Sequence, residues 1–453
     1  MLNKKIFFIF LFAFLIRLIA INQSLWLDEA VTANVVKNFD FAQIISKFSP
    51  TDFHPPLYYL FMKLWTNFFG YSEIALRMPS VLFSLMTGWV IYLIGGAWAA
   101  AFFLFNPLIV YYSQEARMYM MATFFLTTAL YYFLRSVKLD SRLRGNDKYF
   151  ILFGIFISLA FLTFYGSIFL IATMFLYLLY KKQYKAFFVS CLLFLVSFVL
   201  VSPLLYHQFI NSKVALSSVA NWSLVLGKAN IKNLLLIPIK FSIGRISFEP
   251  KLLYWIISGI WSGWVFWKVF MGGLKNKQLL FLLIFPLVIG FLVSFFIPML
   301  QYFRFLYLIP IVCLLLKFNR GGWMLVGGFI IFSLVYLLLP QFHREDWKSL
   351  VRNIPKDKPV YMIKSSSDPV SYYKKINIID LKGVDIHKAP NTINIIPYTA
   401  EIHGVDYASE LIKYNFILKE VKNFRELKFE TWIKSTNYSL FLEYTHSNEY
   451  YKR

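Results

Sequence analysis

The chain has 453 residues, 58% of them hydrophobic and 20% aromatic, with only 15% charged, against about 25% charged in an ordinary soluble domain. A water-soluble chain of this length would divide into domains with polar shells, which the first three quarters cannot supply, so composition excludes a soluble single-domain enzyme and makes lipid the solvent. The 46 Lys+Arg against 23 Asp+Glu give a net charge of +23. These basic residues fall in short runs between apolar stretches, as the positive-inside rule places them in cytoplasmic loops, so the charge reports topology and calls for no nucleic acid.

Lys4-Lys5 precedes an apolar run over 6–21. No small-x-small cleavage site follows and Arg17 interrupts it, so the run reads as a first membrane span rather than a secretory signal. Further spans are predicted near 76–94, 97–113, 117–136, 149–164, 167–180, 186–206, 251–270, 278–297, 302–318 and 323–340, eleven in all. Several fall short of the roughly 20 residues that cross about 30 Å of hydrocarbon, which implies tilt or thinning. The split of 149–180 at Tyr165-Gly166 is the hardest to place, together with the amphipathic stretch 232–241. The inside connections carry Arg135, Lys138, Arg142, Arg144 and Lys148, then Lys181, Lys182 and Lys185, then Lys268, Lys275 and Lys277, then Lys317 and Arg320. An odd number of crossings from an inside start leaves 341–453 outside. Cys191 and Cys313 lie in apolar runs and read as small buried hydrophobes.

The chain thus divides into an all-α, polytopic membrane domain over 1–340, with outside loops 23–75 and 207–250, and a small extracytoplasmic α/β domain over 341–453. In the first loop, 57–69 places Tyr59, Lys63, Thr66 and Asn67 on one side of a helix that should lie in the membrane interface. Arg17, an intramembrane charge costing a few kcal/mol if unpaired, should face the bundle interior. In the terminal domain, 343–354 has helical period, 359–363 and 377–381 read as strands flanking a helix at 369–375, and 392–396, 416–418 and 438–444 are further strands. It contains no Gly-rich phosphate loop, metal-ligand cluster or nucleophile elbow.

Nine of the 23 acidic residues lie in 1–340. Two adjoin, in Trp26-Leu27-Asp28-Glu29-Ala30, where Asp28 fits a helix N-cap and Glu29 the first turn. Adjacent helical residues point about 100° apart, so one carboxylate can face a substrate while the other holds the loop. Next comes Phe53-His54-Pro55-Pro56-Leu57-Tyr58-Tyr59, in which Pro56 starts the interfacial helix, Pro55 holds the approach extended and His54, taken alone, reads as an incidental polar residue. Third is Tyr111-Tyr112-Ser113-Gln114-Glu115-Ala116-Arg117-Met118-Tyr119, a hairpin between spans that reads alone as an aromatic belt with an interfacial charge pair.

In this order and at these intervals the three elements resemble the GT-C membrane glycosyltransferases. Within them they resemble the branch of bacterial protein O-mannosyltransferases and lipid A aminoarabinose transferases, over about the first 340 residues. The resemblance implies transfer of a sugar from a polyprenyl-phosphate donor to a glycan, lipid or protein acceptor at the outer face of the plasma (inner) membrane, with inversion. It puts the catalytic carboxylate on Asp28 as general base. Arg117 and Arg304, the latter in Gln301-Tyr302-Phe303-Arg304, would stabilise the departing phosphate, unless they only snorkel at span ends. Glu29 would bind substrate beside Asp28, Glu115 would orient Arg117 or a sugar hydroxyl, and His54 would bind donor phosphate or acceptor. No cofactor is implied. No Asp-x-Asp motif stands near these elements, so no essential metal is expected, although some GT-C relatives use a divalent cation.

Two other classes compete. A transporter or flippase for a lipid-linked saccharide would place ionisable groups near the membrane midplane, between related halves; here the scarce carboxylates gather at one surface and no repeat is visible. A sensor would need a cytoplasmic signalling segment, and none is seen.

Overall fold

A computed structural model of the chain describes residues 4–138, 147–316, 322–355 and 358–435. It forms two compact units, the first made of 1–22, 35–213 and 223–343, the second of 23–34, 214–222 and 344–453. The expected basic residues Arg142, Arg144, Lys317 and Arg320, Asp140 and the expected strand 438–444 lie outside the described residues.

The first unit is helical. Lys4–Leu18, Glu73–Leu104, Tyr119–Lys138, Asp147–Thr163, Ile168–Tyr180, Tyr184–Ser218, Lys251–Lys275, Lys277–Val293 and Gly322–Leu338 follow the apolar runs. Leu200 is 76% exposed and Leu252 73%. Large apolar side chains on an outward face, repeated along these helices, are compatible with lipid and not with water, so the unit is a membrane domain. Among the described residues, Glu73–Leu104 and Tyr184–Ser218 are long and apolar enough to cross a membrane by themselves.

Two expected spans are not continuous helices. The runs 76–94 and 97–113 form one helix to Leu104, broken at Gly96 with φ 79°, followed by the short helix Pro107–Ser113. That helix starts where it does because the Asn106 side chain accepts hydrogen bonds from the backbone N–H groups of Leu108 and Ile109 at 3.0 and 3.2 Å. The run 302–318 opens as a tight 3-10 turn, Tyr302–Leu308, before the helix Ile309–Leu315. Seven helical residues span only about 10 Å, so neither short helix crosses alone.

Arg17 is fully buried and turned inward, as expected: its guanidinium donates to Ser84 Oγ at 2.9 Å and to the carbonyls of Ala13 and Leu104 at 2.7 and 2.8 Å. A buried cation is tolerable where every side of it meets an acceptor. The helix Leu57–Phe69 has the predicted limits. Of its predicted polar stripe, Tyr59 and Thr66 are buried and Lys63 Nζ donates to the Val36 carbonyl at 2.8 Å, while Asn67 is exposed with Leu64 and Phe68. That polarity suits a helix lying against acyl chains.

The second unit holds a five-stranded sheet in the order β2-β1-β3-β5-β4, with β1 Val360–Met362, β2 Ile378–Asp380, β3 Thr392–Ile395, β4 Phe416–Phe424 and β5 Leu427–Lys434. β1 pairs parallel with β2 and β3, while β5 pairs antiparallel with β3 and β4. Strand alternation sends Tyr361 to one face with Ile393, Ile395 and Trp432, and Val360 and Met362 to the other with Trp347 and Val370. The expected helix 343–354 is confined to Trp347–Arg352, and Tyr407–Lys413 adds a helix. The compact units part differently from the hydropathy division at 341, because 23–34 and 214–222 are held by the sheet domain. Asn221 shows how, its N–H on the Ile402 carbonyl at 3.0 Å and its Nδ2 on the Glu401 carbonyl at 2.9 Å.

Candidate active site

In the first unit the hairpin after Pro107–Ser113 is the polar centre. Gln114, Glu115 and Arg117 are all buried. Gln114 Nε2 donates to the carbonyls of Arg17 and Ile19 at 2.8 and 2.6 Å, and the Ser80 hydroxyl donates to the Glu115 carbonyl. These bonds fix the hairpin to the first helix and to Glu73–Leu104. Arg117 Nη1 reaches the Tyr59 hydroxyl at 3.5 Å, which brings the second sequence element to the third.

His54 is tied into its loop by hydrogen bonds. Its Nδ1 lies 3.3 Å from both carboxylate oxygens of Asp52, and its carbonyl accepts from Gln208 Nε2 at 3.0 Å. The same amide also holds the Ser49 carbonyl at 2.7 Å, while Gln208 Oε1 accepts from the Tyr165 hydroxyl at 2.8 Å. Burial alone would raise the proton affinity of Asp52. The charge and hydrogen bond of His54, the positive field of Arg117 and a backbone hydrogen bond from Phe53 outweigh it and hold this carboxyl below the usual range. Asp52 is therefore an anion tying His54 and Arg117 into one charged patch.

Arg304 sits on the Tyr302–Leu308 turn, with Nη1 3.5 Å from the Pro298 carbonyl. Its neighbour Phe303 packs on Tyr112 and Tyr119, ring centroids 6.4 and 5.5 Å apart, so this segment and the hairpin share one aromatic wall. A further cation, Arg245, was not singled out from sequence. Gly244, at φ 71°, turns the chain against Pro107, where a Cβ would stand 3.1 Å from backbone; Arg245 then places Nη1 2.6 Å from the Tyr111 hydroxyl. Nothing in its local sequence marks it, since its partner is 134 residues away.

Asp28 and Glu29 open the helix Leu27–Asn38 in the second unit. Asp28 is not the N-cap: the helix begins at Leu27, with the Ala30 N–H on the Trp26 carbonyl at 2.9 Å, so both carboxylates lie in the first turn. There they face the positive end of the helix dipole. Glu29 is 0% exposed while Asp28 is partly exposed, so of the two Asp28 is the one open to solvent. Nearby, the Tyr398 hydroxyl donates to Glu345 Oε1 at 3.2 Å. Burial, then the negative charges of Glu345 and Asp28, push that hydroxyl well above the usual phenol range, against the opposing pull of Arg344.

Among the described residues no group of three or more His, Cys, Asp or Glu side chains could hold a metal ion.

Residues 53–207 match the family of dolichyl-phosphate-mannose-protein mannosyltransferases, a segment that takes in His54, Tyr59, Glu115 and Arg117. No curated protein sequence matches the chain. Among solved structures, apo ArnT from Cupriavidus metallidurans superposes with a TM-score of 0.60 at 12% identity, covering 95% of this chain and 97% of that one. The same protein bound to undecaprenyl phosphate gives a TM-score of 0.42 at 12% identity over 95% and 98%. Archaeal AglB from Archaeoglobus fulgidus, an oligosaccharyltransferase in complex with an inhibitory peptide and a dolichol-phosphate, gives 0.48 at 12% identity over 95% of this chain and 74% of that one. Residues 53–207 thus resemble the protein-mannosyltransferase family, and the chain shares the fold of ArnT.

Proposed function

We propose that the protein transfers a sugar from a polyprenyl-phosphate donor to a hydroxyl of a lipid, glycan or protein acceptor, on the extracytoplasmic face and with inversion at the anomeric carbon. The observation that carries this reading is the buried charge of a lipid-facing unit. Glu115 and Arg117 are buried in one hairpin inside the segment that matches the mannosyltransferase family, and the charge of Arg117 reaches the half-buried Asp52–His54 pair. Ionisable side chains are kept within a membrane domain at a cost of several kcal/mol each unless paired, so a cluster of them marks function.

In the proposed step the acceptor oxygen attacks the anomeric carbon as the bond from that carbon to the donor phosphate oxygen breaks. Asp28 accepts the acceptor's proton, an assistance worth roughly 10²–10⁴-fold in general base catalysis. The phosphate leaves with one more unit of negative charge. Arg117 and Arg304 are assigned to that charge, with Arg245 as a third cation; each well-placed donor contributes on the order of 10²–10³-fold. His54 binds donor phosphate or acceptor, Glu115 orients Arg117 or a sugar hydroxyl, and Glu29, fully buried, holds the loop. The donor's polyprenyl chain stays in the bilayer, so the enzyme needs neither a nucleotide-sugar fold nor a cofactor. The reading includes eleven crossings of the plasma (inner) membrane with the active site and C-terminal domain outside.

Asp28→Asn, nearly isosteric but without a usable base, should abolish sugar transfer while undecaprenyl phosphate still binds; wild-type turnover would remove Asp28 as the base. A reporter fused after Arg453 should be active only outside the cytoplasm, and cytoplasmic activity would overturn the odd span count. Asp52→Asn should lower stability by about 1.5–3 kcal/mol, the scale of a charge-assisted hydrogen bond. A carboxyl held below its ordinary range contributes stability that is full at neutral pH and lost as pH falls through its folded value. The gap between wild type and Asp52→Asn, followed by thermal unfolding in detergent, should therefore close in acid and stay open at neutral pH.

A further inference from the structure

The segment that carries Asp28 is gripped on both sides by the C-terminal domain. Before it, Ser24 Oγ accepts the Lys348 N–H at 3.2 Å, and the Tyr373 hydroxyl accepts the Leu25 N–H at 2.9 Å. The Arg344 guanidinium lies 3.8 Å above the Trp26 ring, within the range of a cation–π contact. After it, Asn34 Nδ2 donates to Asp368 Oδ1 at 2.8 Å and to the Asp368 carbonyl at 3.1 Å. The gripping residues are themselves anchored. The Arg344 carbonyl accepts from Arg425 Nε at 2.6 Å, at the turn between β4 and β5. Tyr373 and Asp368 close the two ends of one short helix, Asp368–Tyr373.

We propose that the C-terminal domain is a positioning element for the general base, with Tyr373, Asp368 and Arg344 fixing the segment 24–34 and thereby the place of Asp28. This rests on the assignment of Asp28 made above. A base must stand about 2.6–3.2 Å from the proton it takes, and a misplacement of about 1 Å can cost 10²-fold. The N-terminal end of the helix Leu27–Asn38 follows an irregular stretch after the first membrane helix, so its own backbone does not set that distance. Contacts that bracket the carboxylate do.

The test uses the full-length protein in detergent. Transfer is measured with the lipid-linked sugar fraction of the host membranes, binding with undecaprenyl phosphate, and order in 24–34 by amide hydrogen exchange. Tyr373→Phe, which removes one hydroxyl, and Asp368→Ala should each lower kcat about tenfold or more and speed exchange at Leu25 or in the helix after it. Melting temperature and undecaprenyl phosphate affinity should stay at wild-type values. Asp368→Asn keeps a carbonyl for Asn34 and should restore the rate. In Asn34→Cys/Asp368→Cys, the oxidised protein should turn over like wild type and the reduced protein like Asp368→Ala. Full turnover in Tyr373→Phe and Asp368→Ala beside an inactive Asp28→Asn would overturn the positioning role and leave the base standing. Full turnover in Asp28→Asn itself would remove the base and the positioning role with it. An inactive cross-linked protein would also overturn the proposal, because a fixed segment would then be a fault and not a requirement.

Discussion

Charge kept out of water inside a lipid-facing unit is the constraint on which the rest of this protein depends. Lipid offers no hydrogen bonds, so each buried ion has to be met by the protein's own groups. Arg17 is satisfied by one hydroxyl and two carbonyls, which makes it a structural rivet between the first helix and Glu73–Leu104. The hairpin Ser113–Met118 is different in kind. There Gln114 donates to the carbonyls of Arg17 and Ile19, and the neighbouring Arg117 reaches the Tyr59 hydroxyl and acts through its charge on Asp52, the partner of His54. A rivet needs only acceptors, whereas a patch holding both signs of charge, histidine and tyrosine hydroxyls can meet a phosphate or a sugar.

The same constraint accounts for the irregular pieces of the membrane unit. The end of Glu73–Leu104, the short helix that Asn106 caps and Pro107 opens, and the 3-10 turn Tyr302–Leu308 are costly interruptions in hydrocarbon. The hairpin follows the short helix, and Arg304 sits on the 3-10 turn. Broken helices here are the means by which apolar runs present side chains at their ends. The second unit works by another logic, a water-type sheet with two apolar faces that holds a stretch of the N-terminal chain by hydrogen bonds and a stacked cation.

Much of the membrane unit was legible in the sequence because lipid imposes a single rule on long apolar runs. The limits of Leu57–Phe69 and the inward turn of Arg17 follow from periodicity and from the cost of bare charge. His54 was visible as a motif residue, yet its partner Asp52 was not, since a carboxylate two residues before a His-Pro-Pro turn carries no periodic signal. Arg245 depends on a contact across 134 residues and could not be read locally. The start of the helix at Leu27 moved Asp28 from cap to first turn, a one-residue shift within the ordinary uncertainty of helix ends. β5 was missed although Leu427–Glu430 alternates as a half-buried strand does, because the alternation breaks at Trp432-Ile433 and the positive-φ residue of the preceding turn is Glu426 and not Gly or Asn. The capture of 23–34 by the C-terminal domain rests on side chains more than 300 positions away, beyond any local pattern.

The most direct test is a structure of the full-length protein with undecaprenyl phosphate. The account predicts that the phosphate lies within hydrogen-bond reach of Arg117 or Arg304, with the chain running out among acyl tails and the Asp28 carboxylate open to the space beside the phosphate. A phosphate bound away from both arginines, or an Asp28 shut off from it, would contradict the account.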